Sequence, residues 1–279
     1  MALSGKKPVI VRQVFAEDLK SEFAIIQSAI LEYPFVSMDT EFPGTIFKPY
    51  KRVIQEANPV INYQYMKSNV DGLKIIQLGL TLADYEGNLP DFGTPFCYIW
   101  EFNFKDFDMK KDSYVKESIE LLKQQGIDFE KNKEKGIDSI DFSMMIWNSG
   151  LFNYFRGLNW ITFHGAYDFG FLMRILTQQP LPPEFKSFMK QLVSFFGYKI
   201  FDIKHTFRFF GLDGGLEKVA KTLNVDRIAG LSHQAGSDSL LTLQCFMMLK
   251  KSKVFECNQR QSNRMLPALA LYGLVSTIG

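Results

Sequence analysis

The order of the apolar runs constrains this chain most. Three strand-like segments come early, at Phe35 to Phe42, Leu73 to Leu82 and Phe96 to Phe102. The turn-rich stretch Asp84 to Pro95 joins the last two, and short links of this kind predict an antiparallel meander. Ahead of them, Phe15, Leu19, Phe23, Ile26 and Ile30 share one helical face to about Leu31, and Pro34 ends that helix. Behind them the pattern changes. Helical spacing over 114–125 and 139–148 leads to a buried strand at Trp160 to Phe163. A helix at Tyr167 to Leu176 and a strand at Tyr198 to Phe201 come next. Helices follow over 203–210 and 215–223, and a long one over Ser237 to Lys250. Strand hairpins followed by β-α alternation predict an α/β fold, with a mixed sheet carrying helices on both faces.

Composition supports one domain. The 279 residues are 46% hydrophobic and include 27 Phe, enough for thick packed layers. There is no internal repeat or low-complexity linker. The densest charged stretch, Lys105 to Lys135, still places Val115, Ile119 and Leu122 on one helix face. A net charge of only +2 argues against a protein that grips nucleic acid by bulk charge, so any such contact must be a local site. Cys97, Cys245 and Cys257 fit no zinc spacing and are odd in number, as expected for reduced thiols. No apolar run reaches the roughly 18 residues of a membrane span, and MALSGKKPVIV lacks the apolar core of a signal peptide. These features predict a soluble protein of the cytoplasm and nucleus.

Chemistry is expected from a few acids. In Asp39-Thr40-Glu41 a strand points both carboxylates to one face, with Cα atoms roughly 6.6 Å apart. Such a pair can hold two cations about 3.5–4 Å apart, which activate a water and stabilise the leaving oxygen of a phosphodiester. With 30 acids in the chain, about three acid-x-acid pairs arise by chance. The apolar flank Phe35 to Met38, however, makes unpaired charges here costly. Asp168 follows the apolar strand at 160–163. There it could be a metal ligand or simply an acid at a helix N-terminus, worth roughly 0.3–1 kcal/mol. In His233-Gln234-Ala235-Gly236-Ser237-Asp238 the Asp opens the last helix, and His233 could swing over an attacking water as general base. A capped helix with a surface His is the plainer alternative for that stretch alone. The order of the three pieces is more specific than any one of them.

The strings SMDTEFPG (37–44), LKIIQLG (73–79), FHGAYDF (163–169) and HQAGSDSLL (233–241) resemble the CAF/POP-type deadenylases, catalytic subunits of the CCR–NOT complex. These belong to the His-containing branch of the DEDD exonucleases. The resemblance spans about Val11 to Lys250, favours plant members, and includes LYGL at 271–274. It implies a ribonuclease H-like domain, with 3′→5′ shortening of poly(A) tails and release of 5′-AMP. It also implies two divalent ions, Mg²⁺ or Mn²⁺, on Asp39, Glu41, Asp168 and Asp238, with His233 deprotonating the water. The expected partners are a NOT scaffold subunit and the leucine-rich-repeat domain of a CCR-type deadenylase. The segment Ala229-Gly230-Leu231-Ser232 before His233 is a little longer than in animal members, which alters the reach expected of that loop.

Several neighbours carry two readings each. Phe42 could stack a terminal base or belong to the core, and Pro43 and Gly44 continue that segment. Gly214-Gly215-Leu216 could present amides to phosphate or form a plain turn. Asp202 would stand at most behind the acids, and His164 and His205 favour structural roles. Lys186, Lys190, Lys199 and Arg208 could guide a phosphate backbone or merely be solvated. Ser143, Met144, Trp147 and Leu151 could form a protein interface or core. Two other functions remain: a DNA-directed exonuclease with the same five residues, and an adaptor within the deadenylation complex.

Overall fold

The computed structural model describes residues 7–49, 58–152, 157–209, 214–251 and 271–274. Cys257, Phe210 and the side chain of Arg208 lie outside the described residues. Among the described residues, six strands form one sheet in the order β1-β4-β3-β2-β5-β6. The strands are β1 (Val9–Val14), β2 (Phe35–Glu41), β3 (Gln77–Ala83), β4 (Cys97–Asn103), β5 (Asn159–Thr162) and β6 (Ile200–Asp202). The β2-β3-β4 core is antiparallel as expected, while β1 joins β4, β5 joins β2 and β6 joins β5 in parallel.

The helices are α1 (Leu19–Ala29), α2 (Pro59–Gly72), α3 (Lys116–Gln124), α4 (Phe129–Lys135) and α5 (Ser139–Asn148). They continue with α6 (Ala166–Thr177), α7 (Phe185–Phe196), α8 (Ile203–Phe209), α9 (Leu216–Thr222) and α10 (Ala235–Lys251). Strand alternation sends side chains to two covered faces. Val36 and Met38 of β2 and Trp160 of β5 join a core with α1, α2, α5, α6 and α7. Phe35 and Ile161 join a second core with α8, α9 and α10.

Four expectations need correction. The N-terminal helix starts at Leu19, because the residues before Phe15 form edge strand β1, whose partly buried residues give little alternation. The β2–β3 link is not short, since it contains α2. Asn58 caps that helix by accepting from Val60 and Ile61, and Pro59 sits where a missing N–H costs nothing. Strand β3 begins at Gln77 rather than Leu73, because the Leu73 amide closes α2 on Asn69. Finally, α4 and α7 are helices beyond those that the sequence pattern predicts. In α7, Phe188, Leu192 and Phe196 line one buried face at helical spacing.

On the α10 side the sheet is polar near the helix start. Gly79 of β3 stands in register between Asp39 of β2 and Glu101 of β4. A Cβ on Gly79 would lie 1.9 Å from the Ala235 carbonyl oxygen, so only glycine lets α10 settle on the strand. Nearby, Thr81 and Ser239 hydroxyls meet at 2.7 Å.

Candidate active site

Strand β2 ends with Asp39 and Glu41 pointing toward α10. Both residues are half-buried by accessible area, yet protein atoms crowd their carboxylates. Asp39 is held well above the usual carboxylate range, first by loss of hydration and then by Asp168, Asp238 and Glu41. Glu41 is raised for the same first reason, followed by Asp238, Asp168 and Glu101.

Asp168 occupies the first turn of α6 and is 5% exposed. The Thr40 hydroxyl donates to its Oδ1 at 2.5 Å, so the residue between the two strand acids pins the third. Burial pushes Asp168 up to about 7, opposed by the Thr40 hydrogen bonds. Asp238, in the first turn of α10, is raised by burial and lowered by Arg227, whose Nη2 lies 2.6 Å from its Oδ1. The His233 amide donates to Asp238 Oδ2 at 3.1 Å.

The structure therefore gathers Asp39, Glu41, Asp168 and Asp238 in one cleft and sets His233 at its edge. One ligand atom from each of Glu41, His233 and Asp238 lies within 4.8 Å of the others. Carboxylates that raise one another this way are poor company as anions unless cations sit among them. Hard oxygen donors with one imidazole suit Mg²⁺ or Mn²⁺, so the residues present fit the metals expected from the sequence.

The flanking residues divide. Phe42 stacks on Tyr167 at 5.1 Å and tilts on Phe171 at 4.9 Å, so part of its ring is committed to α6. Pro43 accepts from the Val115 amide at 2.8 Å, and Gly44 has φ +82° with Ser118 crowding the place of a Cβ. The Leu216 side chain is half-buried against the second core. Asp202, 2% exposed, accepts from the amides of His164, Gly165, Lys204, His205 and Tyr272. Asp202 is thus a backbone hub behind Asp168, with His164 and His205 around it. Lys186, Lys190 and Lys199 are exposed. Met144 and Trp147 are exposed on α5, but Ser143 and Leu151 are buried and leave the expected surface.

Sequence reasoning missed the residues that hold this cleft in shape. Glu101, 1% exposed, accepts from Gln13, Gln77 and the Gly236 amide, and so ties α10 to three strands. Burial raises its carboxyl, and those three bonds oppose the shift. Arg227 had no sequence signal. Gly79 had one, since a glycine inside a strand marks a close backbone approach.

A mixed sheet with acids converging at the end of its central strand defines a ribonuclease H-like nuclease. Residues 14–141 match the CAF1 family ribonucleases. A probable CCR4-associated factor 1 homolog of Arabidopsis thaliana (homolog 10) is 46% identical over 244 residues, 87% of this chain and 86% of that protein. The poly(A) ribonuclease pop2 of Schizosaccharomyces pombe is 43% identical over 268 residues, 96% and 76% of the two chains. The chain belongs to the CAF1 family of ribonucleases. Among solved structures, S. pombe Pop2p in its Mg²⁺- and Mn²⁺-bound form superposes with a TM-score of 0.83 at 40% identity, covering 95% of this chain and 99% of that one. CAF1 co-crystallised with the yeast NOT1 MIF4G domain gives 0.74 at 35% identity, covering 91% and 94%. An exonuclease I structure gives 0.52 at 14% identity, a likeness of fold alone.

Proposed function

We propose that this chain is a metal-dependent 3′→5′ exoribonuclease that shortens poly(A) tails, releasing 5′-AMP. The observation that carries this reading is the convergence of Asp39, Glu41, Asp168 and Asp238 beside His233, in a chain 43% identical to a poly(A) ribonuclease.

The four carboxylates would hold two divalent cations. Bound there, the cations supply a water acidic enough to attack and positive charge at the leaving oxygen. His233 takes the proton of the attacking water as general base. Asp168 is braced for its part by the Thr40 hydroxyl, which donates to its Oδ1. The free face of the half-buried Phe42, beside the half-buried Gly44, is the surface we assign to the terminal base, with Pro43 buried beneath it, and the segment at Leu216 to the RNA path. Base–aromatic stacking contributes roughly 1–3 kcal/mol.

We also assign to this chain a place in a deadenylation complex, on a NOT scaffold and on the leucine-rich-repeat domain of a second deadenylase. Support comes from the relative crystallised with NOT1 and from the exposed Met144 and Trp147.

The test is digestion of matched oligo(A), oligo(U) and oligo(dA) with Mg²⁺ or Mn²⁺, with chelator as control. Stepwise loss of 5′-AMP from oligo(A) is expected, and it stops on chelation. Equal rates on oligo(dA) and oligo(A) would remove the RNA assignment, because recognition of RNA rests on the 2′-OH.

A further inference from the structure

The loop 228–233 carries His233 to the cleft without regular secondary structure. Ile228 and Leu231 on it are 48% and 53% exposed, so little apolar burial fixes it. His233 itself has φ +59°, an unfavourable left-handed conformation for a residue with a Cβ. Something must hold this backbone, and the bonds come from side chains. Gln234 Oε1 accepts from the Leu231 amide at 2.9 Å. The Ser237 hydroxyl donates to the Ala229 carbonyl at 2.6 Å. Asp238 Oδ2 accepts from the His233 amide.

Arg227 links these bonds. Its Nη2 reaches Asp238 Oδ1 at 2.6 Å and Glu217 Oε1 of α9 at 2.5 Å, with Nε a further 3.1 Å bond to Glu217. Its Nη1 donates to the Leu231 carbonyl at 3.3 Å and to the Ser237 hydroxyl. One planar guanidinium thus touches α9, the middle of the loop and the first turn of α10. Its five donors in a fixed fork allow this, whereas a lysine ammonium offers a single point. Asp238 also stands among like charges that would push a loosely held carboxylate aside.

We propose that Arg227 is a positioning residue for hydrolysis: by holding Asp238 and the Leu231 carbonyl together, it fixes the 228–233 loop and therefore His233 against the acid cleft. Glu217, exposed on α9, is the buttress that aims the guanidinium. The inference rests on the nuclease reading, and wild-type activity on oligo(A) tests that reading separately.

The experiment compares R227Q, R227K and E217A with wild type in the full chain. It combines steady-state kinetics on oligo(A) with amide exchange in metal-free protein. Misplacing a reacting group by about 1 Å costs on the order of 100-fold, so R227Q should lower kcat by at least about tenfold while KM moves less than about threefold. The amides of Leu231 to His233 should exchange at least about tenfold faster, a factor of ten for each loss of about 1.4 kcal/mol in the free energy of local opening. R227K restores charge without the fork and should fall between R227Q and wild type. E217A, a surface change that leaves the core alone, should lower kcat in the same direction by a smaller factor. A kcat for R227Q within about twofold of wild type, or a fall in kcat with unchanged loop exchange, would overturn the proposal. Should R227Q fail to fold, wild-type kcat and loop exchange in both R227K and E217A would overturn it equally.

Discussion

Replacing Gly79 by Ala adds one methyl group at the point where β3 meets α10. The new Cβ would stand 1.9 Å from the Ala235 carbonyl oxygen and 2.5 Å from the Gly236 nitrogen. Ordinary contact begins near 3.4 Å, so the two backbones must part by roughly 1.5 Å. Neither neighbour is a flexible side-chain tip, and β3 is locked on both edges, by Asp39 of β2 and Glu101 of β4. The start of α10 is the part that moves. That shift lengthens the Gly236–Glu101 hydrogen bond, now 2.8 Å, and carries Asp238 and His233 away from Asp39 and Glu41. Overpacking of this kind costs roughly 1–3 kcal/mol of stability. The catalytic cost is expected to be larger, about 100-fold in kcat, since a displacement near 1 Å suffices for that. Urea unfolding followed by circular dichroism reads the first quantity, and single-turnover hydrolysis of oligo(A) under saturating Mg²⁺ reads the second. A Gly79→Ala protein whose unfolding free energy lies within about 0.5 kcal/mol of wild type and whose turnover lies within about twofold would refute the idea that β3 and α10 set the cleft jointly.

Asp39→Asn should abolish hydrolysis with the fold intact, and the metal-free variant should melt above metal-free wild type because one repelling charge is gone. Mn²⁺ should raise the melting temperature of wild type but not of this variant; equal shifts would refute the assignment of Asp39 as a ligand. In chelator, Asp168 binds its proton more tightly folded (about 7) than unfolded (3.8). Stability is therefore greatest below about pH 4 as far as this group is concerned, and it falls as pH rises to 7, by up to roughly 4 kcal/mol. Denaturant melts at several pH values should show that limb in wild type and a shallower one in Asp168→Asn; identical slopes would refute it. Trp147 is 43% exposed, with its indole N–H on the Leu176 carbonyl. Trp147→Ala should weaken binding to a NOT1 MIF4G domain in calorimetry while oligo(A) hydrolysis stays within about twofold, and unchanged affinity would move the interface elsewhere.

What the sequence made legible follows from how each part is encoded. Asp39 and Glu41 could be read because strand alternation is local: three consecutive residues fix both the shared face and the spacing. Asp168 and Asp238 could be read because each opens a helix directly after an apolar run or a small-residue turn, so their elements were predictable to within two or three residues. The polar layer beneath α10 is different in kind. Gln13, Gln77 and Glu101 come from three strands and share no local pattern. They become one network only when β1 adds to β4 and β4 to β3, and β1 was the strand that the helical face beginning at Phe15 concealed. Arg227 is hidden for the same reason, because its meaning lies in Glu217 ten residues before it and Asp238 eleven after it, across two helices. The four acids assigned to the chemistry sit at one strand end and two helix starts, where local rules apply. The groups that hold them in place are chosen by tertiary contact, and a sequence shows those only when, as at Gly79, the contact leaves room for no side chain at all.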